Sequence, residues 1–237
     1  KGRPSDNPMI LHISQIDEIY DIAEEINEDC LKLMEAFWPG PLTVVVKRKK
    51  IVPNTTTGGL DTVGIRMPSD KTARLLIKEA GIPIAAPSAN LSGKPSPTMP
   101  EHVIKDMNGR IDGIICGGKC QVGIESTVVL VTGDTPIILR PGKITKEDMK
   151  KVLGKEVKID PAIEITEIKN NKDQDFRPMA PGMKYRHYAP DAEMVVIEGP
   201  KEKVKEEIKR REEKIKAEGK KVGVIIFGDE NFEEAAH

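Results

Sequence analysis

The feature that most constrains this chain is the shortness of its apolar runs. Residues 42–47, 63–67, 82–86, 126–131 and 137–139 are rich in β-branched side chains, and each is closed by proline, glycine or a polar turn. Runs of this length make strands, and the turn residues at their ends stop them. Between them lie recurrences of helical period. Ile16, Ile19, Ile22, Ile26, Leu33 and Phe37 share one face, which predicts a helix over 14–37 that Pro39 and Pro41 end. Residues 71–80, with Gly81 behind them, predict a second helix. Residues 145–153 predict a third, with Thr145 and Asp148 spaced for a cap. Residues 111–116 are apolar enough to predict a further strand. Strands alternating with helices indicate an α/β chain.

The texture changes after Leu153. Residues 164–176 are polar and strand-poor. Residues 177–190 contain Pro178, Pro181, Gly182 and Pro190, which exclude a regular element, together with Arg177, Lys184, Tyr185, Arg186, His187 and Tyr188. A plain spacer lacks such side chains. Beyond them, residues 194–197, a charged helix over 201–218 and residues 222–227 read as the strand–helix–strand unit of a parallel sheet. Val204, Ile208 and Ile215 form that helix's narrow apolar stripe, and its charges form a solvated face.

The 237 residues suffice for one large domain or two modest ones. Aromatic residues make up 3%, too few for base-stacking recognition of single strands. The 37 basic and 38 acidic residues leave a net charge of -1, so no global field holds a polyanion. No apolar run approaches the roughly 20 residues that span a bilayer. The chain opens on Lys1 without a charged-then-apolar leader, and both ends read as those of a segment of something longer. Three cysteines, Cys30, Cys116 and Cys120, cannot all pair, which points to a reducing compartment. Cys116 and Cys120 flank a glycine turn. With no second Cys/His pair at zinc spacing, they read as ordinary thiols rather than metal ligands.

Four polar clusters sit at the ends of apolar runs. Lys1-Gly2-Arg3-Pro4, with Asn7-Pro8 and then His12, places two cations on a stiff loop, which reads either as a triphosphate contact or as one of the basic turns that are common on protein surfaces. Arg66, inside a short apolar strand with Thr62 at its start, must find an anion, either a structural carboxylate or a substrate's. Ala86-Pro87-Ser88-Ala89-Asn90-Leu91-Ser92-Gly93 offers small residues, hydroxyls and an amide. It reads either as a ligand wall or as a capped turn. Glu125-Ser126-Thr127-Val128 and Leu139-Arg140-Pro141-Gly142 put a serine and an arginine at facing ends of a hairpin. Neither a Walker loop nor a GxGxxG fingerprint is present.

With Phe37-Trp38-Pro39-Gly40-Pro41-Leu42-Thr43 and Val63-Gly64-Ile65-Arg66-Met67-Pro68, these motifs stand in the order of the Sua5/YciO/YrdC family. Pro181-Gly182-Met183-Lys184-Tyr185-Arg186-His187-Tyr188-Ala189-Pro190 resembles the linker of its long, Sua5-type members. The resemblance implies a YrdC-like twisted mixed sheet with flanking helices over residues 1–160. A linker over 161–193 would close over the site, and 194–237 would start a Rossmann-like Sua5 C-terminal domain. Family members carry a threonine-contacting Pro-Thr-Glu-Thr-type segment ahead of the Lys-Gly-Arg turn, and a fuller C-terminal domain. The implied activity is a cytoplasmic nucleotidyltransfer that makes threonylcarbamoyl-AMP and pyrophosphate from L-threonine, bicarbonate and ATP, with Mg²⁺ accompanying ATP. The product would pass to the tRNA threonylcarbamoyl transferase for modification of tRNA position 37. The implied enzyme is a monomer with no membrane partner, and direct tRNA binding is left open.

Carried onto this sequence, Lys1 and Arg3 would be the catalytic, phosphate-contacting cations. Asn7, Thr62, Ala86, Ser88, Asn90, Ser96, Arg140 and Tyr188 would complete the ATP site. His12, Arg66 and Ser126 would bind threonine. Tyr188 would either close over the nucleotide or staple two domains together. No metal ligand and no covalent nucleophile is implied, so the cysteines have no catalytic part.

Overall fold

The structure, a computed structural model, describes residues 1–161, 163 and 193–225. The chain forms two compact units, Lys1–Ala189 and Pro190–His237.

Seven strands of the first unit make one mixed sheet. They are β1 (Ile10–His12), β2 (Leu42–Lys47), β3 (Thr62–Arg66), β4 (Ile84–Ala86), β5 (Thr127–Leu130), β6 (Ile137–Arg140) and β7 (Lys158–Ile159). Their order is β4-β1-β3-β2-β5-β6-β7. β1/β3, β2/β5 and β6/β7 are parallel, and β1/β4, β2/β3 and β5/β6 are antiparallel. The helices are α1 (Ile19–Ile22), α2 (Glu28–Phe37), α3 (Asn54–Thr57), α4 (Lys71–Ala80), α5 (Pro100–Met107) and α6 (Lys146–Leu153).

Side chains alternate across a strand, so each strand divides its residues between two faces. Leu11, Leu42, Val44, Val46, Val63, Ile65, Val129 and Ile138 point into the main core with Ile19, Ile22, Leu33, Met34 and Met149 of the helices. The opposite face carries the alternate residues: Ile10 and His12, Thr43 and Val45, Thr62, Gly64 and Arg66, and Val128. His12, Thr62 and Arg66, singled out in the sequence, therefore share the face turned away from the main core.

Three helices have ends fixed by local chemistry. Asn27 caps α2 by accepting from the Cys30 N–H at 2.9 Å, and its amide donates to Val131 O at 2.7 Å, tying the cap to the sheet. Such a cap contributes about 1 kcal/mol. Asp70 caps α4, which ends on Gly81 at φ +67°. Thr145 and Asp148 form the reciprocal capping box predicted for α6.

The single helix expected over 14–37 is broken. A 3-10 turn (Ile16–Glu18) and α1 end at Ala23, whose extended backbone bridges to Arg48, and α2 restarts at the Asn27 cap. The apolar period persists because both pieces bury the same face. The strand expected at 111–116 does not form. Ile111 and Ile115 are 43% and 65% exposed, and glycines at 109, 113, 117 and 118 leave the segment without a rigid edge to pair. β1 is an addition. Three residues between Pro8 and Ser14 carry too little periodicity to signal a strand, yet both neighbours pair with them.

In the second unit, Lys201–Ala217 forms α7, with Val204, Ile208 and Ile215 half-buried. Its charges pair along the helix, Arg211 with Glu207 at 2.7 Å and Lys216 with the buried Glu212 at 2.5 Å. The strands expected on either side of it are not formed over residues 194–197 and 222–225. Residues 164–192, including Tyr185, His187 and Tyr188, and residues 226–237 lie outside the described residues. Among the described residues no helix is long and apolar enough to cross a membrane.

Candidate active site

Strand polarity gathers one group of residues at one end of the sheet. His12 and Arg66 end two parallel strands and stand directly opposite each other. Thr43, near the start of antiparallel β2, and Ser126, just before β5, come to the same end. Arg140, at the end of β6, joins them. The Ser126 and Thr43 hydroxyls lie 2.8 Å apart, and both residues are buried. Arg140 Nη2 donates to Ser126 Oγ at 3.0 Å and to Ser126 O at 2.9 Å, and Arg140 Nε donates to the same carbonyl at 3.1 Å. Thr43 is a site residue that the motifs did not single out. Its signal was a polar side chain in an otherwise apolar strand.

Arg66 is half-buried, and its Nε donates to Gly40 O at 3.0 Å. No carboxylate among the described residues pairs with it. Of the two readings the sequence left open, a substrate carboxylate is the one that no described carboxylate competes with. Burial, and then the Arg140 charge, lower the Arg66 pKa. Burial and then Arg66 push His12 down to about 4, so its imidazole is neutral at pH 7. The buried His12 Nδ1 meets no hydrogen-bond partner among the described residues. This end of the face thus offers two guanidinium groups, a neutral imidazole with a spare nitrogen and two hydroxyls. Such a set of groups has the chemistry to pair with a small carboxylate that also carries hydroxyl or amine groups.

The opposite end gathers the second group. Lys1 Nζ donates to Ser88 O at 2.6 Å, Asn90 O at 2.7 Å and Asn90 Oδ1 at 3.2 Å. All its acceptors are neutral. Burial, and then Arg3, lower its pKa. Arg3 donates from Nε to Asn7 O at 3.3 Å and from Nη2 to Asn7 Oδ1 at 2.9 Å. It also donates to Pro8 O. Asn7 is buried, and its Nδ2 has no partner. Ser96 Oγ is likewise buried and unpartnered. Ala86 ends β4 opposite Ile10, and Thr62 starts β3 opposite Lys47.

Between the two groups lies Gly64. A side chain there would sit 3.2 Å from Thr43 Cγ2 and 3.5 Å from Ile10 Cγ1, so glycine keeps the floor between the ends low. Buried polar atoms normally find partners. Four side-chain atoms among the described residues do not, and two of them, on Asn7 and His12, belong to these two groups. The structure brings Arg140 to the His12–Arg66 end rather than to the Lys1 end, although the resemblance assigns it to ATP. Tyr188 lies outside the described residues.

Residues 1–142 match the Sua5/YciO/YrdC family, described as "Telomere recombination". The chain belongs to this family. Residues 144–237 match the Sua5 C-terminal domain, described as "Threonylcarbamoyl-AMP synthase, C-terminal domain". The chain is 49% identical to the threonylcarbamoyl-AMP synthase of Pyrococcus abyssi (strain GE5 / Orsay) over 234 residues, which is 99% of this chain and 66% of that protein. It is 46% identical to the threonylcarbamoyl-AMP synthase of Bacillus subtilis (strain 168), over 95% of this chain and 62% of that protein. The crystal structure of the P. abyssi Sua5 complexed with L-threonine matches with a TM-score of 0.87 at 49% identity, covering 98% of this chain and 66% of that one. The chain thus spans less than two thirds of the length of these Sua5 relatives.

Proposed function

We propose that this chain carries the catalytic centre of a threonylcarbamoyl-AMP synthase acting on L-threonine, bicarbonate and ATP. The observation that carries the reading is the pairing of two differently equipped ends on one sheet face. One end has a carboxylate-sized site built on Arg66, which has no carboxylate partner among the described residues. The other has two cations on a stiff loop, and unpartnered polar atoms lie at both.

In this reading Arg66 clamps the threonine carboxylate, while His12 and Ser126 take its amine and hydroxyl. Bicarbonate adds to the amine with loss of water, leaving an N-carboxylate. ATP lies along Asn7, Thr62, Ala86, Ser88, Asn90 and Ser96, and Arg140 reaches it from the threonine end. The N-carboxylate oxygen attacks the α-phosphorus across the low floor at Gly64. The bond from that phosphorus to the bridging oxygen breaks, and pyrophosphate leaves. Lys1 and Arg3 stabilise the charge that builds on the phosphates. Each exchanges a neutral carbonyl acceptor for an anionic one, and the charge-assisted bond is the stronger. Mg²⁺ enters with ATP as part of the substrate. No group of three His, Cys, Asp or Glu side chains among the described residues could hold a metal ion.

Residues 1–160 form the catalytic domain in this reading, 161–193 a linker that brings Tyr188 over the nucleotide, and 194–237 part of the C-terminal domain. The enzyme works as a cytoplasmic monomer and hands its product to the tRNA threonylcarbamoyl transferase. Pyrophosphate release by the full-length protein, with ATP and bicarbonate and with or without threonine, tests the reading. Threonine-dependent release is expected. Release that ignores threonine, or no release, refutes it.

A further inference from the structure

Asp106 lies in the last turn of α5 and belongs to neither group of ligands. Its side chain is 9% exposed, and both carboxylate oxygens are used. Oδ2 accepts from the Leu91 N–H at 3.1 Å, and Oδ1 accepts from Lys94 Nζ at 2.7 Å. Lys94 first, and then the Leu91 N–H, hold the carboxyl below the usual carboxylate range. Both partners belong to the loop that grips Lys1.

The connection can be followed bond by bond. Asn90 is buried, and its Nδ2 donates to Leu91 O at 2.9 Å and to Lys94 O at 2.8 Å. Its Oδ1 and its main-chain carbonyl receive the Lys1 ammonium. The Ser92 N–H donates back to Lys1 O at 3.0 Å. Asp106 therefore fixes one side of a closed loop of hydrogen bonds, and Lys1 sits on the other. The carboxylate also attracts the Lys1 ammonium, while Arg3 repels it. Lys94 and the Leu91 N–H occupy the carboxylate, so this negative charge stays engaged rather than turned towards incoming phosphates.

We propose that Asp106 is the positioning residue of the nucleotide end. It fixes the loop over residues 90–94 so that Lys1 is held where a phosphate can replace one of its carbonyl acceptors. The proposal rests on the synthase reading for the identity of the ligand. Asp106 touches no substrate and acts through Asn90, Lys94 and Lys1.

The test is calorimetric binding of ATP and of threonine to the full-length protein, followed by steady-state kinetics, for Asp106→Ala, Asp106→Asn and Lys94→Ala. Losing a buried acceptor strands the Leu91 N–H, so Asp106→Ala is expected to weaken ATP binding about tenfold or more. Threonine affinity is expected to stay within about twofold, because the His12–Arg66 end is built on other strands. Asp106→Asn keeps an acceptor for Leu91 and is expected to recover most of the ATP affinity. Lys94→Ala, a change at a half-exposed side chain, is expected to raise the ATP KM by a smaller factor and keeps the test usable if Asp106→Ala does not fold. Unchanged ATP affinity in both Asp106→Ala and Lys94→Ala would overturn the proposal. So would equal losses for ATP and threonine, or an Asn variant no better than the Ala variant. An unmodified protein that binds no ATP would instead refute the synthase reading.

Discussion

At the residue scale, the candidate site stands out by buried polar atoms that meet no partner among the described residues. Arg66 is legible in sequence as a cation in an apolar strand that needs an anion. Only the fold decides between ion pair and ligand, because that depends on which carboxylates the topology brings near. His12 is less legible, since its meaning comes from a strand pairing that local sequence does not signal. Its neighbour across the ladder is Arg66, and burial and that charge together lower its pKa from 6.5 to about 4. The unfolded chain therefore binds a proton near pH 6.5 that the folded protein refuses until about pH 4. Stability is full above pH 6.5 and falls as the pH drops through this window. The total is on the order of 3 kcal/mol, since each tenfold difference in proton affinity between the two states is worth about 1.4 kcal/mol. Urea denaturation at pH 7.5 and pH 5 should show the loss, and His12→Asn should remove most of it. Carboxylates held low by ion pairs, such as Glu156 at about 2, lose their contribution only further down, between about pH 4.5 and pH 2. An equal loss above pH 5 in His12→Asn would show that another group carries the proton.

At the element scale, long-range pairing is what the sequence conceals. β2, β3, β4 and the β5/β6 hairpin are legible because each is a bounded apolar run. β1, three residues long, exists only because β3 and β4 flank it. The helix over 14–37 is misread because one apolar stripe serves two helices that meet the same core. The Asn27 cap three residues before Cys30 was the available sign of the second start. The segment over 111–116 shows the reverse case, apolar enough for a strand but given no neighbour. The turn after β6 is a tight join near the site. A methyl group at Gly142 would lie 2.4 Å from Thr127 N, 2.6 Å from Glu125 O and 2.8 Å from Ser126 C. These are backbone atoms and cannot rotate away. Gly142→Ala should therefore push the start of β5 aside and cost about 1–3 kcal/mol, as overpacked sites do. Because Arg140 grips the Ser126 carbonyl, the same change should weaken threonine binding. A denaturation midpoint equal to that of the unmodified protein would mean that the Pro141–Gly142 backbone yields freely.

At the scale of the whole molecule, a net charge of -1 coexists with a local concentration of cations. Burial, and then the Arg3 charge, lower the Lys1 pKa, and burial, and then the Arg140 charge, lower that of Arg66. Within the first unit, compensating acids lie in exposed pairs such as Lys150–Glu156 at 2.7 Å. Such a distribution attracts a small polyanion at short range without holding nucleic acid over a broad surface. It follows that salt should separate the two ligands. ATP carries several negative charges, and threonine is a zwitterion with none in net. Raising the ionic strength from about 0.05 M to about 0.5 M shortens the screening length several-fold. ATP affinity should fall steeply over that range and threonine affinity only slightly. Titration calorimetry at matched pH measures both. Equal salt slopes would mean that the cations at the two ends of the sheet face do not act on their ligands as net charges, and that Lys1 and Arg3 serve the loop rather than the phosphates.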